Sequence, residues 1–455
     1  MVTMKEETTA YQEALDYIYS FVDYSLTRSF RYTPEKFDLG RMVDFLKLLG
    51  DPHQQYPCLH VAGTKGKGST AALIASSLRA EGYRVGIYTS PHLQDFTERI
   101  QVNDQPISAA ELAALVDFVK PTVAQIERLT TFEITTAIAF LYFARQKVDA
   151  AVIEVGLGGR LDATNVIHPL LSVITSLSMD HMNVLGDTLP KIAFEKAGII
   201  KTGRPVVLSP QREEARQVIE EVAQQRGSPL IEVGRDVSFA PGAHSLDGQS
   251  FQVWLAGEAP VDLRIPLLGP HQLENAATAY AALQTARQQG LEVSEAAIRK
   301  GFAEVVWPGR FELLRREPPV VVDSAHNRDS AARLRQTLDV YLPSRPVVLL
   351  FGASEDKDVE GIFAELMPRV STLIATQSIH PRALEAEKLV EIAARYGKPA
   401  RVVLPVEKAV EASLQQAGDE SVVLATGSLF IVAAFREIWQ KLLQEGLVAK
   451  GTGTL

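Results

Sequence analysis

The chain has 455 residues, 46% of them hydrophobic and 22% charged, with a formal net charge of −9. That length exceeds one ordinary core and predicts two or three domains, and the composition is that of a soluble globular protein. The acidic balance argues against general nucleic-acid binding, and the single cysteine, Cys58, excludes an internal disulfide or a multi-cysteine metal site.

The N-terminal run Met1-Val2-Thr3-Met4-Lys5-Glu6-Glu7 shows no apolar signal region. The longest strongly apolar stretch, 134–144, is too short to span a bilayer and suits a buried helix. A cytoplasmic protein without a membrane partner is expected. Residues 11–50 carry an amphipathic helical pattern that stops at Gly50-Asp51-Pro52. The apolar run Cys58-Leu59-His60-Val61-Ala62 reads as a strand, Gly63 to Ser69 as a glycine-rich loop, and 71–78 as a helix. Strand, glycine loop and helix in that order build a phosphate cradle. Glycines let backbone N–H groups converge on an anion, the helix N-terminus adds positive potential, and Lys67 adds a point charge. The loop departs from the strict P-loop pattern, with Gly68 after the lysine and Val61 in the first glycine position.

A strand follows at 84–89, then a polar loop at 90–99 and helices at 108–127 and 131–146. The stretch 148–155 is nearly all apolar, as a strand covered on both faces would be. Strands at 170–177 and 204–209 flank a helix at 188–198. The alternation predicts a doubly wound, mostly parallel α/β sheet. Residues 236–267 read as a small antiparallel meander, and Gly269-Pro270 opens a helix over 272–288. Pro308-Gly309 precedes a second, Rossmann-like α/β series with strands at 320–322, 347–351, 373–375, 402–404 and 422–424 and a final helix at 429–444. The expected domains are 1–306 and 307–455.

Ligands of open α/β sheets bind at the carboxyl ends of the strands. Glu154 ends a strand there and is placed to hold Mg²⁺ on a nucleotide. Ser90 and Asp180-His181 follow other strand ends, and the Ser90 hydroxyl is within reach of such a metal. Lys196 lies late in a helix, where a lysine is ordinarily a surface residue favouring the C-terminal dipole. In the second domain Arg310, Asp323-Ser324-Ala325-His326-Asn327 and Lys357-Asp358 stand at strand ends or turns. They would face an interdomain crevice if the two sheets turn their carboxyl edges together.

Taken in order, these segments resemble folylpolyglutamate synthase and dihydrofolate synthase of the Mur ligase superfamily. The resemblance rests on His60 through Ser69, Ser90-Pro91-His92-Leu93 with Glu98-Arg99-Ile100, and Thr131-Phe132-Glu133. It continues in Glu154-Val155-Gly156-Leu157-Gly158-Gly159-Arg160-Leu161-Asp162-Ala163-Thr164-Asn165, Asp180-His181 and Glu195-Lys196-Ala197-Gly198-Ile199. It closes with His271-Gln272, Asn275, Pro308-Gly309-Arg310-Phe311-Glu312, Asp323 through Asn327, Asp356-Lys357-Asp358 and Thr426-Gly427-Ser428. The loop variant Gly-Thr-x-Gly-Lys-Gly-Ser itself points to ATP-dependent amide ligases.

The resemblance implies a Mur-ligase-like fold and a ligase that phosphorylates a pterin-linked carboxylate with ATP and joins it to L-glutamate, the acceptor being dihydropteroate or a reduced folate. It implies ATP contacts from Thr64, Lys65, Gly66, Lys67, Gly68, Ser69, Asn275, Arg310 and Asp323, and Mg²⁺ ligands in Ser90, Glu154 and His181. Lys67, Lys196, His181 and His326 are the implied catalytic residues, with Lys196 carbamylated. The pterin side falls to Lys36, Phe37, Asp38, Leu39, Thr131, Leu161, Asp162 and Ala163. A monomer is expected. Lys65 is a departure, since many bacterial members have Asn there.

Two other readings share parts of the pattern. A ligase of peptidoglycan precursors would share the phosphate loop, although no UDP-sugar-binding domain is evident before it. A non-catalytic ATP-binding regulator would share the fold, against which the intact set Lys67, Glu154, His181 and Lys196 argues.

Overall fold

The structure, a computed structural model, describes residues 4–22 and 38–448. The chain divides into two compact units. The first comprises Met1–Ala240, Gln252–Leu263 and Glu274–Val305, the second Pro241–Phe251, Arg264–Leu273 and Val306–Leu455. Where the sequence reading drew one cut, two short segments before residue 306 thus group with the second unit.

Eight strands form the sheet of the first unit: β1 (Cys58–Ala62), β2 (Val85–Tyr88), β3 (Ile100–Val102), β4 (Gln105–Pro106), β5 (Ala150–Glu154), β6 (Leu171–Ile174), β7 (Val206–Leu208) and β8 (Leu230–Glu232). Their order is β4-β3-β2-β5-β1-β6-β7-β8. The pairings from β2 to β8 are parallel, and the short β3–β4 hairpin adds antiparallel edge strands. Parallel strands need crossovers, and helices supply them: Lys67–Glu81, Ala109–Val123, Thr131–Arg145, Leu189–Ala197 and Glu213–Gln225. Local sequence starts several of these. Ser108 with Glu111 and Thr130 with Glu133 form reciprocal capping boxes, and Gly82 ends the first crossover helix in the left-handed conformation.

The buried strands β1, β2, β5 and β6 present no polar face because both sides of the sheet are covered. One core layer joins Cys58, Tyr88, Ala151 and Ile153 to the helices at 39–48, 109–123 and 131–145. Another joins Ala62, Ile174 and Val206 to those at 189–197 and 213–225. The helix Glu295–Glu304 lies against Lys67–Glu81 so closely that a Cβ on Gly301 would sit 2.4 Å from Ser77 Cα. Ser76 Oγ also donates to Gly301 O at 2.8 Å.

Three further strands, β9 (Val237–Ser245), β10 (Gly248–Leu255) and β11 (Val261–Ile265), make a small sheet in sequential order, as a meander requires. The second unit carries β12 (Glu312–Arg316), β13 (Pro319–Val322), β14 (Val347–Phe351), β15 (Val370–Ala375), β16 (Ala400–Val402) and β17 (Val422–Thr426), in the order β12-β13-β17-β14-β15-β16. All neighbours are parallel except the β12–β13 pair. Its core gathers Val321, Leu349, Phe351, Leu373 and Leu424 with Phe363 and Leu389 from its helices. The two α/β series thus match the expected fold class, whereas the β3–β4 hairpin, β8, β12 and the helices at 213–225 and 295–304 were not assigned from sequence. No helix among the described residues is long and apolar enough to cross a membrane.

Candidate active site

The strand order decides which loops meet. β1 lies between β5 and β6, and β2 lies on the far side of β5. The carboxyl edge therefore presents Ser90, Glu154, the glycine loop and Asp180-His181 side by side, at the kind of switch point where α/β sheets bind ligands.

The glycine loop is shaped by two positions that need glycine. Gly63 has φ +154°, and a Cβ there would lie 1.8 Å from Thr175 Oγ1. Gly66 caps the helix in the left-handed region with φ +88°, and its Cβ would lie 2.2 Å from Asn275 Oδ1. Asn275 is thereby set against the turn into the helix. The Thr64 and Lys65 amides donate to Ser176 O at 3.0 and 3.1 Å, and Thr64 Oγ1 donates to Ser178 O at 3.2 Å. Lys65 Nζ meets Asp180 Oδ2 at 2.9 Å. Four contacts thus tie the phosphate loop to the loop after β6. Ser69 is buried in the first turn of the helix, behind Lys67 and Gly68.

Glu154, only 5% exposed, closes β5. Its carboxylate accepts from the Ser90 amide at 3.3 Å and lies 3.7 Å from Lys67 Nζ. His181 adopts a left-handed conformation, φ 51°, with its side chain 49% exposed and Nε2 4.0 Å from Asp180 Oδ1. Among the described residues no group of three His, Cys, Asp or Glu side chains is arranged to hold a metal unaided. Mg²⁺ on a nucleotide takes one or two carboxylates and fills its shell with phosphate oxygens and water. A single buried carboxylate such as Glu154 suits that kind of shared coordination.

Lys196 departs from what its helix position suggests. It is 5% exposed, and burial lowers its pKa to about 7, with the Lys67 cation adding to the effect while Asp180 and Asp162 oppose it. The loop after β5 packs against the helix at this point. A Cβ on Gly159 would come within 2.8 Å of Glu195 O and 3.1 Å of Lys196 Cα. Arg160 N donates to Glu195 O at 2.7 Å and its guanidinium pairs with Glu195 at 2.8 Å. Asn165 Nδ2 reaches the Arg160 and Gly198 carbonyls, and Lys201 Nζ donates to Asn165 O at 2.7 Å. The Gly-Gly-Arg-Leu-Asp-Ala-Thr-Asn string is therefore the seam between β5 and the lysine helix.

The residues expected on the pterin side are dispersed over several elements. Lys36 and Phe37 lie outside the described residues. Asp38 caps the helix Leu39–Leu48 by accepting from Gly40 N at 2.8 Å. The Thr131 hydroxyl donates to the carbonyls of Ile18 and Phe21 at 3.0 and 3.2 Å. Leu161 is half-buried, and Asp162 and Ala163 are buried on the loop after β5. Phe132, next to Thr131, fills the space beside Gly156, where a Cβ would lie 2.4 Å from its ring.

In the second unit Asp323 stands at the end of β13 and accepts from the amides of Phe311 at 2.7 Å and Ala325 at 2.8 Å. Burial raises its pKa, and the neighbouring Arg310 opposes the rise. His326 Nδ1 lies 2.8 Å from Ser324 O, and Asn327 caps the helix Arg328–Tyr341. Gly427, after the adjacent β17, donates to Ala325 O at 3.0 Å. Arg310, Asp323 and His326 thus share one neighbourhood at the carboxyl edge of their own sheet.

The sequence gives His60 no role beyond its place in the family string. It lies in the middle of β1 at 0% exposure, where a five-residue buried run hides one polar side chain. A histidine inside such a run, with Thr164 in the Asp-Ala-Thr-Asn string, was the available signal.

Two family models match the chain: the Mur ligase middle domain over residues 61–283 and the Mur ligase glutamate ligase domain over 309–429. The dihydrofolate synthase/folylpolyglutamate synthase of Bacillus subtilis is 37% identical, over 94% of this chain and 99% of its own length. The folylpolyglutamate synthase of Lacticaseibacillus casei is 35% identical over 94% and 98%. Among solved structures, the Mycobacterium tuberculosis folylpolyglutamate synthase complexed with ADP has a TM-score of 0.86 at 32% identity, covering 95% of this chain and 99% of that one. Likeness sustained from the phosphate loop to the last sheet, over nearly the full length of each relative, goes well beyond one nucleotide-binding motif, and the chain belongs to the folylpolyglutamate synthase/dihydrofolate synthase family of Mur ligases.

Proposed function

We propose that this ATP-binding ligase joins L-glutamate to a pterin-linked acid, dihydropteroate or a reduced folate. The observation that carries the reading is Lys67 at a helix N-terminus, 3.7 Å from the strand-end carboxylate of Glu154, with the glycine turn beside both. The γ-phosphoryl group passes to a carboxylate oxygen of the acceptor and ADP leaves. The amine of glutamate then attacks the acyl phosphate, the C–N bond forms, and phosphate departs with the activated oxygen. Phosphoryl transfer between anions needs neutralised charge and positioning more than a strong acid or base. The Thr64–Ser69 backbone, Lys65 and Lys67 supply that for the phosphates, and Asn275 braces the turn.

Arg310 and Asp323 are assigned as further nucleotide contacts and His326 as a catalytic group of the second unit. Ser90, Glu154 and His181 would hold Mg²⁺, which neutralises charge on the transferring group when bound. Lys196 is assigned as a carbamylated lysine, because a buried amine with a lowered pKa is neutral often enough to react with CO₂. Asp38, Leu39, Thr131, Leu161, Asp162 and Ala163, with Lys36 and Phe37, make up the acceptor side. As part of this proposal the enzyme is monomeric and cytoplasmic. Phosphate release with ATP and glutamate should require dihydropteroate or a reduced folate, and a UDP-muramyl acceptor should not replace them. Equal release with and without the pterin would refute the reading.

A further inference from the structure

Three buried polar residues link the centre of the first sheet to the loop after β5. His60 Nε2 lies 2.9 Å from Thr164 Oγ1, and Thr164 Oγ1 donates to Asp162 Oδ1. His60 and Thr164 are both fully buried, and Asp162 is 4% exposed. The Asp162 carboxylate also accepts from the Thr164 amide at 3.0 Å and the Leu157 amide at 2.8 Å, with the Gly156 amide as a further donor. It therefore gathers both ends of the loop, Gly156-Leu157 and Thr164, onto one side chain.

The proton inventory fixes the histidine. A threonine hydroxyl has one hydrogen, and it goes to Asp162, so its lone pair receives a proton from His60. Nε2 then carries the hydrogen and Nδ1 is bare, which agrees with Nδ1 being buried without a hydrogen-bond partner among the described residues. Burial and the neighbouring Lys201 cation hold the ring well below its ordinary pKa, hence neutral.

We infer that His60 is a positioning residue for the acceptor side of the site: through Thr164 and Asp162 it fixes the loop that presents Leu161 and Ala163. The inference rests on the assignment of that loop to the pterin-linked acceptor. The phosphate loop begins three residues after His60, but its contacts run to Ser176, Ser178, Asp180, Glu154 and Asn275 and not to Thr164 or Asp162. Loss of the relay should therefore weaken the acceptor and spare ATP.

Thr164→Val removes the hydroxyl at constant shape, Thr164→Ser keeps it, and His60→Leu removes the ring donor. Thr164→Val and His60→Leu should raise the KM for dihydropteroate roughly tenfold or more, since each breaks a buried hydrogen bond. The KM for ATP should stay within about twofold, and Thr164→Ser should restore the wild-type value. Leu161→Ala tests the underlying assignment, because it trims the acceptor side without touching the relay. If Leu161→Ala leaves the dihydropteroate KM unchanged, the acceptor assignment falls and the inference with it. If Leu161→Ala raises it while folded Thr164→Val and His60→Leu do not, the relay alone is overturned. Protein labelled with ¹⁵N-histidine gives a readout independent of activity. His60 should show a protonated Nε2 and a bare Nδ1 from pH 6 to 8, and the opposite tautomer or an imidazolium there would overturn the inference.

Discussion

Replacing Lys196 by methionine should stabilise the protein in CO₂-depleted buffer near neutral pH while removing most of its activity. The side chain is 5% exposed, and burial brings its pKa from an ordinary 10.5 to about 7. The unfolded chain keeps the proton up to about pH 10.5, whereas the native state releases it near pH 7. Between those values the unfolded state binds more protons, so stability rises with pH across that window. At about 1.4 kcal/mol for each tenfold in proton affinity, the uncarbamylated lysine costs the native state about 5 kcal/mol below pH 7. That cost falls to nothing by about pH 10.5. Methionine fills similar space without the charge, so the variant should lack this dependence. Urea unfolding at pH 6.5, 8 and 9.5 measures both proteins, and their stability curves should converge as pH rises. Bicarbonate at pH 8 should then stabilise the wild type alone, because carbamylation acts only on the native amine. Parallel pH curves for the two proteins would refute the burial argument, and an equal response to bicarbonate would refute the modification.

Two further substitutions probe the phosphate end. Glu154→Gln should lower turnover roughly 10²–10³-fold, as loss of one transition-state contact does, with little change in the unfolding midpoint because the shape is kept; near-native turnover at low Mg²⁺ would remove Glu154 from the site. Gly66→Ala must hold φ near +88° and push Asn275 aside, so it should cost about 1–3 kcal/mol of stability and weaken ATP binding in calorimetry, and unaltered ATP affinity would show that the turn is not part of the cradle.

The placement of the glycine loop and of Glu154 at a strand end was legible in sequence because the signals are local. A glycine loop between a strand and a helix specifies backbone geometry within a few residues, and an acid closing an apolar run must sit at a strand end. The burial of Lys196 was not legible from its own surroundings. Late in a helix, a lysine normally reaches solvent, but this helix is packed against the loop around Gly159, which arrives from a strand more than thirty residues earlier. Asp180 met Lys65 for the same kind of reason, since the strand order alone brings them together. The helices at 213–225 and 295–304 had readable signals. Ala215, Ile219, Val222 and Ala223 repeat at helical spacing, and Ser294 caps the helix after it. The β3–β4 hairpin is too short for its alternation to register, because Ile100–Val102 and Gln105–Pro106 offer few positions each.

Cys58, at the start of the central strand β1, has a practical consequence. Its thiol is 2% exposed and burial pushes its pKa up to about 12. Thiolate is the nucleophile that attacks peroxides and alkylating reagents, so the native protein should be inert to both at neutral pH. It should therefore behave as a cysteine-free scaffold. A single cysteine placed at the fully exposed Ile379 would be the one site to accept a fluorophore or spin label, without any native residue having to be removed first.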